Sequence, residues 1–162
     1  MIAALSRTRL GDFAAPADPL RGVWTLVSYS AQEPDGGDPI YPMGQHAFGY
    51  LMYGAGHRMS ALVTAEGRAV FGDASGAGGS LEQKAHAFST TVAYMADYRW
   101  EGDRVVHKVD VALNPSWIGV EQVRYAKLEG RRLTLTTPPA PTPPDGKVRV
   151  GTLVWERKAG PD

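Results

Sequence analysis

The residues best placed to do chemistry together are His107, Gln122 and Arg124. Around His107 the odd positions are Val105, His107, Val109 and Val111, and the even ones Val106, Lys108, Asp110 and Ala112. That alternation is the period of a half-buried strand, with the odd side toward a core. An imidazole therefore sits in an apolar file. The next strand, Val120 to Leu128, carries Gln122, Arg124, Ala126 and Leu128 on one face, which brings polar groups to the same interior. An inward imidazole can act as a general base or donate a hydrogen bond to a ligand carbonyl. It can equally be a lining histidine satisfied by Gln122, Arg124 or Tyr98, with no chemistry of its own. An inward guanidinium is costly unless it meets a buried carboxylate or an anionic ligand. Glu121 and Glu156 are the candidate internal partners, and strand parity puts Glu121 opposite the face of Arg124. If the strand is rotated the other way, Arg124 is surface charge.

Apolar area for a pocket comes from Tyr50, Met52, Tyr53, Met59, Tyr98, Trp100 and Trp117. Such a mixture of aromatic surface with a few placed polar groups suits a small-molecule site, and it suits a plain core as well. The candidate ligand-binding set is Tyr50, Tyr53, Met59, Tyr98, His107, Trp117, Gln122 and Arg124. His107 and Arg124 are the candidate catalytic pair if the protein is an enzyme. No metal and no cofactor is expected. The four histidines, His46, His57, His86 and His107, lack paired spacing and there is no cysteine. Convergence of His57 and His107 with a glutamate is the one metal geometry left open. Gly72 to Gly79 precedes a helix but lacks the Gly-Lys-Ser/Thr ending of a phosphate loop. No Gly-x-Ser-x-Gly elbow is present.

The elements that must position these residues are mostly strands. Residues 1–19 mix Ala, Pro, Asp and Arg without periodicity and are expected to form a flexible arm. Gly22 to Ala31 is the first strand, followed by the turn residues Glu33 to Pro39. Phe48 to Tyr53 and His57 to Thr64 flank Gly54-Ala55-Gly56 and read as a hairpin. Ser80 with Gln83 forms a capping box, and Leu81, Ala85, Phe88 and Val92 follow at near-helical spacing, so a helix of about three turns is predicted. In a barrel it packs outside or covers one mouth. Strands then run from Tyr94 to Glu101 and from Arg104 to Leu113. After Asn114-Pro115-Ser116-Trp117 come Val120 to Leu128, Arg131 to Thr137 and Lys147 to Arg157. Between the last two, five prolines in the seven residues 138–144 predict a stiff loop outside any ladder. About eight strands with short links and one helix between strands 3 and 4 make an all-β, antiparallel up-and-down barrel, whose closure removes free edges.

At 162 residues the chain is one domain, residues 20–158, with a short tail at 159–162. Lys+Arg and Asp+Glu are both 17, which argues against a nucleic-acid footprint. No apolar run reaches membrane-span length, and Met1 to Leu5 is too short for a signal peptide, so a cytoplasmic protein is expected. A homodimer is left open.

Several blocks in order resemble one family. Gly22-Val23-Trp24 is similar to the Gly-x-Trp signature of lipocalins and other calycins. In those proteins the tryptophan closes one barrel end beneath an arginine from the far end of the chain, a role the resemblance offers to Arg157 in Trp155-Glu156-Arg157. Gly49 to Tyr53, Arg58 to Ala61, Ala93-Tyr94 with Tyr98, Asn114 to Gly119, Gln122-Val123-Arg124 and Leu133 to Leu135 complete the likeness to the bacterial and fungal lipocalin-like domain family. It spans Gly22 to Arg157 and departs in the proline loop and in the glycine-rich insert before the helix. The resemblance implies a lipocalin-like barrel and no settled activity. The expectation is a container for a small, mostly apolar metabolite with a polar or anionic end. The alternatives are a cofactor-independent isomerase, cyclase or lyase acting on a carbonyl-containing metabolite, with His107 as proton shuttle, and a structural or partner-binding barrel without a ligand.

Overall fold

The computed structural model describes residues 18–72 and 75–159. The strands are β1 (Gly22–Gln32), β2 (Phe48–Tyr53), β3 (Arg58–Thr64), β4 (Thr91–Trp100), β5 (Arg104–Ala112), β6 (Glu121–Glu129), β7 (Arg132–Thr136), β8 (Ala140–Pro141) and β9 (Val148–Arg157). One helix, α1 (Leu81–Ser89), lies between β3 and β4. Every pairing is antiparallel and follows chain order from β1 to β7, then β9, and β9 pairs back onto β1. The two-residue β8 hangs on β9. The result is a closed barrel of eight staves, as the alternation and turn signals predicted.

Closure gives the barrel two unlike ends. At one end Trp24 is fully buried, and its Nε1–H donates to the Leu20 carbonyl at 2.8 Å. The Arg157 guanidinium lies over the indole, 4.1 Å from the ring centroid, and its N–H groups donate to the carbonyls of Arg21 and, at 2.6 Å, Pro19. The glycine of Gly-x-Trp has a physical reason here. Gly22 has φ +139°, and a Cβ on it would come within 2.9 Å of Arg157 Nη1. Residues 1–17 of the predicted arm lie outside the described residues, whereas Asp18 and Pro19 are tied to this end by Tyr98 and Arg157.

Three expectations change. Residue Asp110 is extra on β5, because the register shifts from Ala96↔Val109 to Met95↔Val111. The inward file therefore ends at Val109, and Val111 turns out to solvent, 57% exposed. Helix α1 has the capping box predicted, Gln83 N–H on Ser80 Oγ and Ser80 N–H on Gln83 Oε1. It stops at Ser89, however, so Val92 belongs to β4, and none of its residues is buried. The proline loop does join a ladder: Ala140 and Pro141 pair with Arg149 and Val148. A sheet edge tolerates this because Pro lacks only the N–H, and Thr142 N–H restores a bond to Lys147 O at 2.9 Å.

The sealed end yields a stability prediction. Trp24→Ala should cost ~3–5 kcal/mol by urea unfolding, the usual range for a buried aromatic. Arg157→Ala should cost ~0.5–2 kcal/mol through the lost contact over the indole. Equal midpoints for wild type and Trp24→Ala would refute this account of the seal.

Candidate functional site

Opposite the sealed end the barrel is open, and a cavity of about 620 Å³ runs into it. Strand parity selects its walls. In β2 the odd residues Leu51 and Tyr53 point inward, and in β4 the even residues Tyr94, Ala96 and Tyr98 do so. In β6 the even residues Gln122 and Arg124 face in. In β1 a register shift between Leu26 and Ser28 turns Tyr29 toward the cavity. Trp155 of β9 also lines the wall. At the mouth stand Phe88 and Ser89 of α1, Asn114 and Trp117 of the link between β5 and β6, and the proline loop from Pro138 to Pro143. Thr142 in that loop is buried.

His107 lies beneath this cavity rather than on its wall, with 0% of its surface exposed. Its Nε2 is 2.9 Å from Tyr53 Oη, and its Nδ1 is 2.9 Å from Tyr94 Oη. Burial, reinforced by the nearby Arg124 charge, pushes the imidazole down to about 3, so it is neutral. A neutral imidazole donates from one nitrogen and accepts at the other. Among the described residues Tyr53 Oη has His107 as its hydrogen-bond partner and no other acceptor. The Tyr53 hydroxyl therefore donates to Nε2, since the reverse would strand a buried O–H. It follows that His107 Nδ1–H donates to Tyr94 Oη. That leaves the Tyr94 O–H without an acceptor among the described residues, and Tyr94 itself lines the cavity.

Arg124 sits beside this chain of hydrogen bonds. Its guanidinium donates to Gln122 Oε1 and, at 2.8 Å, to the Val123 carbonyl. Both acceptors are neutral, and among the described residues no carboxylate pairs with it. Its charge is felt across the interior. Burial pushes the phenols of Tyr29, Tyr53 and Tyr94 up, and Arg124 pulls each of them partly back, in the case of Tyr94 also as a hydrogen-bond partner. Arg149, the second guanidinium at the cavity, is different. Its N–H groups bond both oxygens of Asp145 at 2.6 and 2.8 Å, and Glu33 lies 3.6 Å away.

Of the residues expected to bind ligand, Trp117, Gln122 and Arg124 line the cavity, and Trp117 meets Tyr94 edge-on at 5.9 Å. His107 and Tyr53 form the layer below Tyr94. Met59 and Tyr98 are buried nearer the sealed end, where the Tyr98 hydroxyl donates to Asp18. Tyr50 is on the outer wall, because even positions of β2 face out; it stacks edge-on with Phe48 at 5.2 Å and lies under Lys158. Glu121 is also outside, bound by Arg99 at 2.7 Å. His57 packs edge-on against Tyr98 at 5.6 Å, away from His107. Among the described residues no group of three or more His, Asp or Glu is placed to hold a metal. Tyr29, Tyr94, Trp155 and the proline loop were not in the expected set. Tyr94 alone carried a signal, its inward parity with Tyr98.

A closed up-and-down barrel, plugged at one end and hollow at the other, defines the class of lipocalin-like ligand-binding barrels. The chain matches the lipocalin-like domain family over residues 21–158 and belongs to it. No curated protein matches the sequence. No helix among the described residues is long and apolar enough to cross a membrane.

The buried imidazole sets a pH dependence. The unfolded chain protonates His107 near 6.5, the native state only near 3. Stability from this group is thus complete above about pH 6.5 and is lost as pH falls toward 3, because only the unfolded state gains the proton. Between pH 6 and pH 4.5 the wild type should lose about 2 kcal/mol more than His107→Gln, measured by chemical unfolding. Parallel losses in the two proteins would contradict a neutral, buried imidazole.

Proposed function

We propose that the barrel binds a small, mostly apolar metabolite whose anionic or polar end meets Arg124. The carrying observation is a half-buried guanidinium on the cavity wall with neutral partners only. A cation withdrawn from water is stabilised by an anion within reach, and a charge-assisted bond of that kind is about twice as strong as a neutral one. The neighbouring Arg149 already has Asp145 and Glu33, so Arg124 is the free cation of this cavity among the described residues. The rest of the wall is largely apolar, with Leu51, Ala61, Val63, Leu135 and Leu153. A volume of about 620 Å³ is ordinary for a metabolite site and speaks against a purely structural barrel.

One observation favours a second reading, a cofactor-independent isomerase, cyclase or lyase acting on a carbonyl compound. Tyr94 offers its O–H to the cavity with Arg124 beside it, an arrangement suited to donating to a carbonyl oxygen while negative charge develops there. In that reading His107 acts through Tyr94 and does not touch the substrate. Tyr94→Phe would then abolish turnover of a bound carbonyl compound while sparing its affinity.

Decanoate and decylamine separate charge recognition from simple apolar uptake. In calorimetric titration decanoate should bind and decylamine should not. Arg124→Gln should weaken decanoate about tenfold or more, in keeping with loss of a hydrogen bond to a charged group, with no loss of thermal midpoint in the ligand-free protein. Equal binding of acid and amine, or full affinity in Arg124→Gln, overturns the proposal.

A further inference from the structure

We infer that the cavity holds a second recognition point, the indole N–H of Trp155, which takes a neutral oxygen of the ligand. The occupant is then an apolar acid that carries a further oxygen on its frame, as an oxo acid does. This rests on the proposed binding of an anion at Arg124 and specifies the ligand class for it.

The two buried tryptophans of the barrel make the contrast. Trp24 and Trp155 are 0% and 2% exposed. The Trp24 N–H reaches the Leu20 carbonyl at 2.8 Å. The Trp155 Nε1 is buried with no hydrogen-bond partner, the one such side-chain atom among the described residues. Buried indole N–H groups ordinarily find an acceptor, because leaving one unmade costs the full desolvation of the group. The Trp155 side chain lines the cavity while its Nε1 is covered in the empty barrel, so an acceptor entering from the cavity reaches it as the neighbouring side chains give way.

Position and surroundings fix what kind of acceptor. Trp155 pairs with Leu26 on β1 and Leu133 on β7, and Leu135 and Leu153 share its part of the wall. The leucines carry no charge, and Arg157, two residues along β9, is taken up by Trp24 and the carbonyls of Arg21 and Pro19. A second negative charge would be stranded there, whereas a keto, hydroxyl or ether oxygen loses little and gains a bond. A water molecule is a poorer occupant, since it needs two to four polar partners and these leucine side chains provide none. The level also differs from that of Arg124. Through Tyr125↔Thr136↔Thr152 the pairing puts Arg124 in the row of Gly151. Trp155 lies four residues deeper toward the sealed end, about 13 Å along the strand. The long Arg124 side chain shortens this gap and reaches Tyr94 as a hydrogen-bond partner. The two oxygens of the ligand are therefore separated by several carbons rather than joined in one carboxylate.

Decanoate and the oxodecanoates carrying the keto group at successive carbons are suitable probes. In calorimetric titration of the wild-type protein at least one internal keto position should bind about three- to tenfold more tightly than decanoate, the gain of one satisfied hydrogen bond. In Trp155→Phe that preference should vanish, with decanoate and the oxodecanoates binding to the variant within about twofold of one another. Should this variant fold poorly, the wild-type protein still decides the matter. The indole N–H proton resonance of Trp155 should move downfield with the preferred oxo acid and stay in place with decanoate. Decanoate binding without any keto preference, or a preference that survives in Trp155→Phe, overturns the Trp155 subsite and leaves the reading of Arg124 intact. Failure of decanoate and every oxo acid to bind overturns both.

Discussion

The pairing of β9 with β1 is the constraint on which everything else depends. Once the sheet closes, no backbone edge remains among the eight staves, and the interior becomes a tube that must be filled or occupied. The same pairing sets Trp24 opposite Arg157 in register. The guanidinium can then sit over the indole while its N–H groups take up carbonyls of the incoming chain. Gly22 has to be glycine for that approach. One end is thereby solid, and Leu20, Tyr53, Met59 and Tyr98 pack against it. The space left by closure collects at the other end.

Between the plug and the hollow lies a polar layer, and its arrangement is economical in charge. His107 has both ring nitrogens occupied by phenols and stays neutral, so a fully buried base adds no ion to the core. Arg124 is the exception. Gln122 and the Val123 carbonyl satisfy some of its donors, but neither supplies a negative charge. The barrel could have neutralised this cation as it neutralises Arg149, with a carboxylate on an adjacent loop. Keeping it uncompensated lowers the stability of the empty barrel and raises the value of an anionic ligand in the same measure. Functional sites are where such local costs are expected to collect.

The architecture was legible in the sequence wherever period and turn chemistry agreed. The alternation from Val105 to Val109, the Ser80–Gln83 capping box, the Gly-rich links and the Gly-x-Trp block each point to what is observed. The inward parity of Gln122 and Arg124 was equally readable, because β6 keeps its register throughout. Legibility failed at two register shifts. Asp110 and the neighbourhood of Val27 add a residue that no local pattern announces, so Val111 was placed inside and Tyr29 missed. Depth was the other unreadable quantity. Parity tells which side chains face inward, not whether they meet the plug, the polar layer or the hollow. His107, Tyr53, Met59 and Tyr98 all point in, yet all lie below the cavity floor. Tyr50 failed for a simpler reason: an aromatic run at Gly49 to Tyr53 was read by composition where its parity already placed Tyr50 outside.

The mouth is built from two elements of unequal firmness. The proline loop is stiff by composition and is pinned at three further points. It pairs through β8, and the buried Arg149 grips Asp145 while Lys147 reaches Glu33 at 2.9 Å across to the loop after β1. Arg149, as hydrogen-bond partner, holds the Asp145 carboxyl well below the usual carboxylate range, so this clasp stays ionised through the whole neutral and mildly acid range. Helix α1 has a capping box but no buried residue, and only Phe88 and Ser89 touch the cavity. Segments with little buried apolar contact open at low free energy, whereas a pinned loop opens with its sheet. The two sides of the entrance therefore differ in what they contribute. The proline loop shapes the rim, and α1 is the side whose displacement costs least.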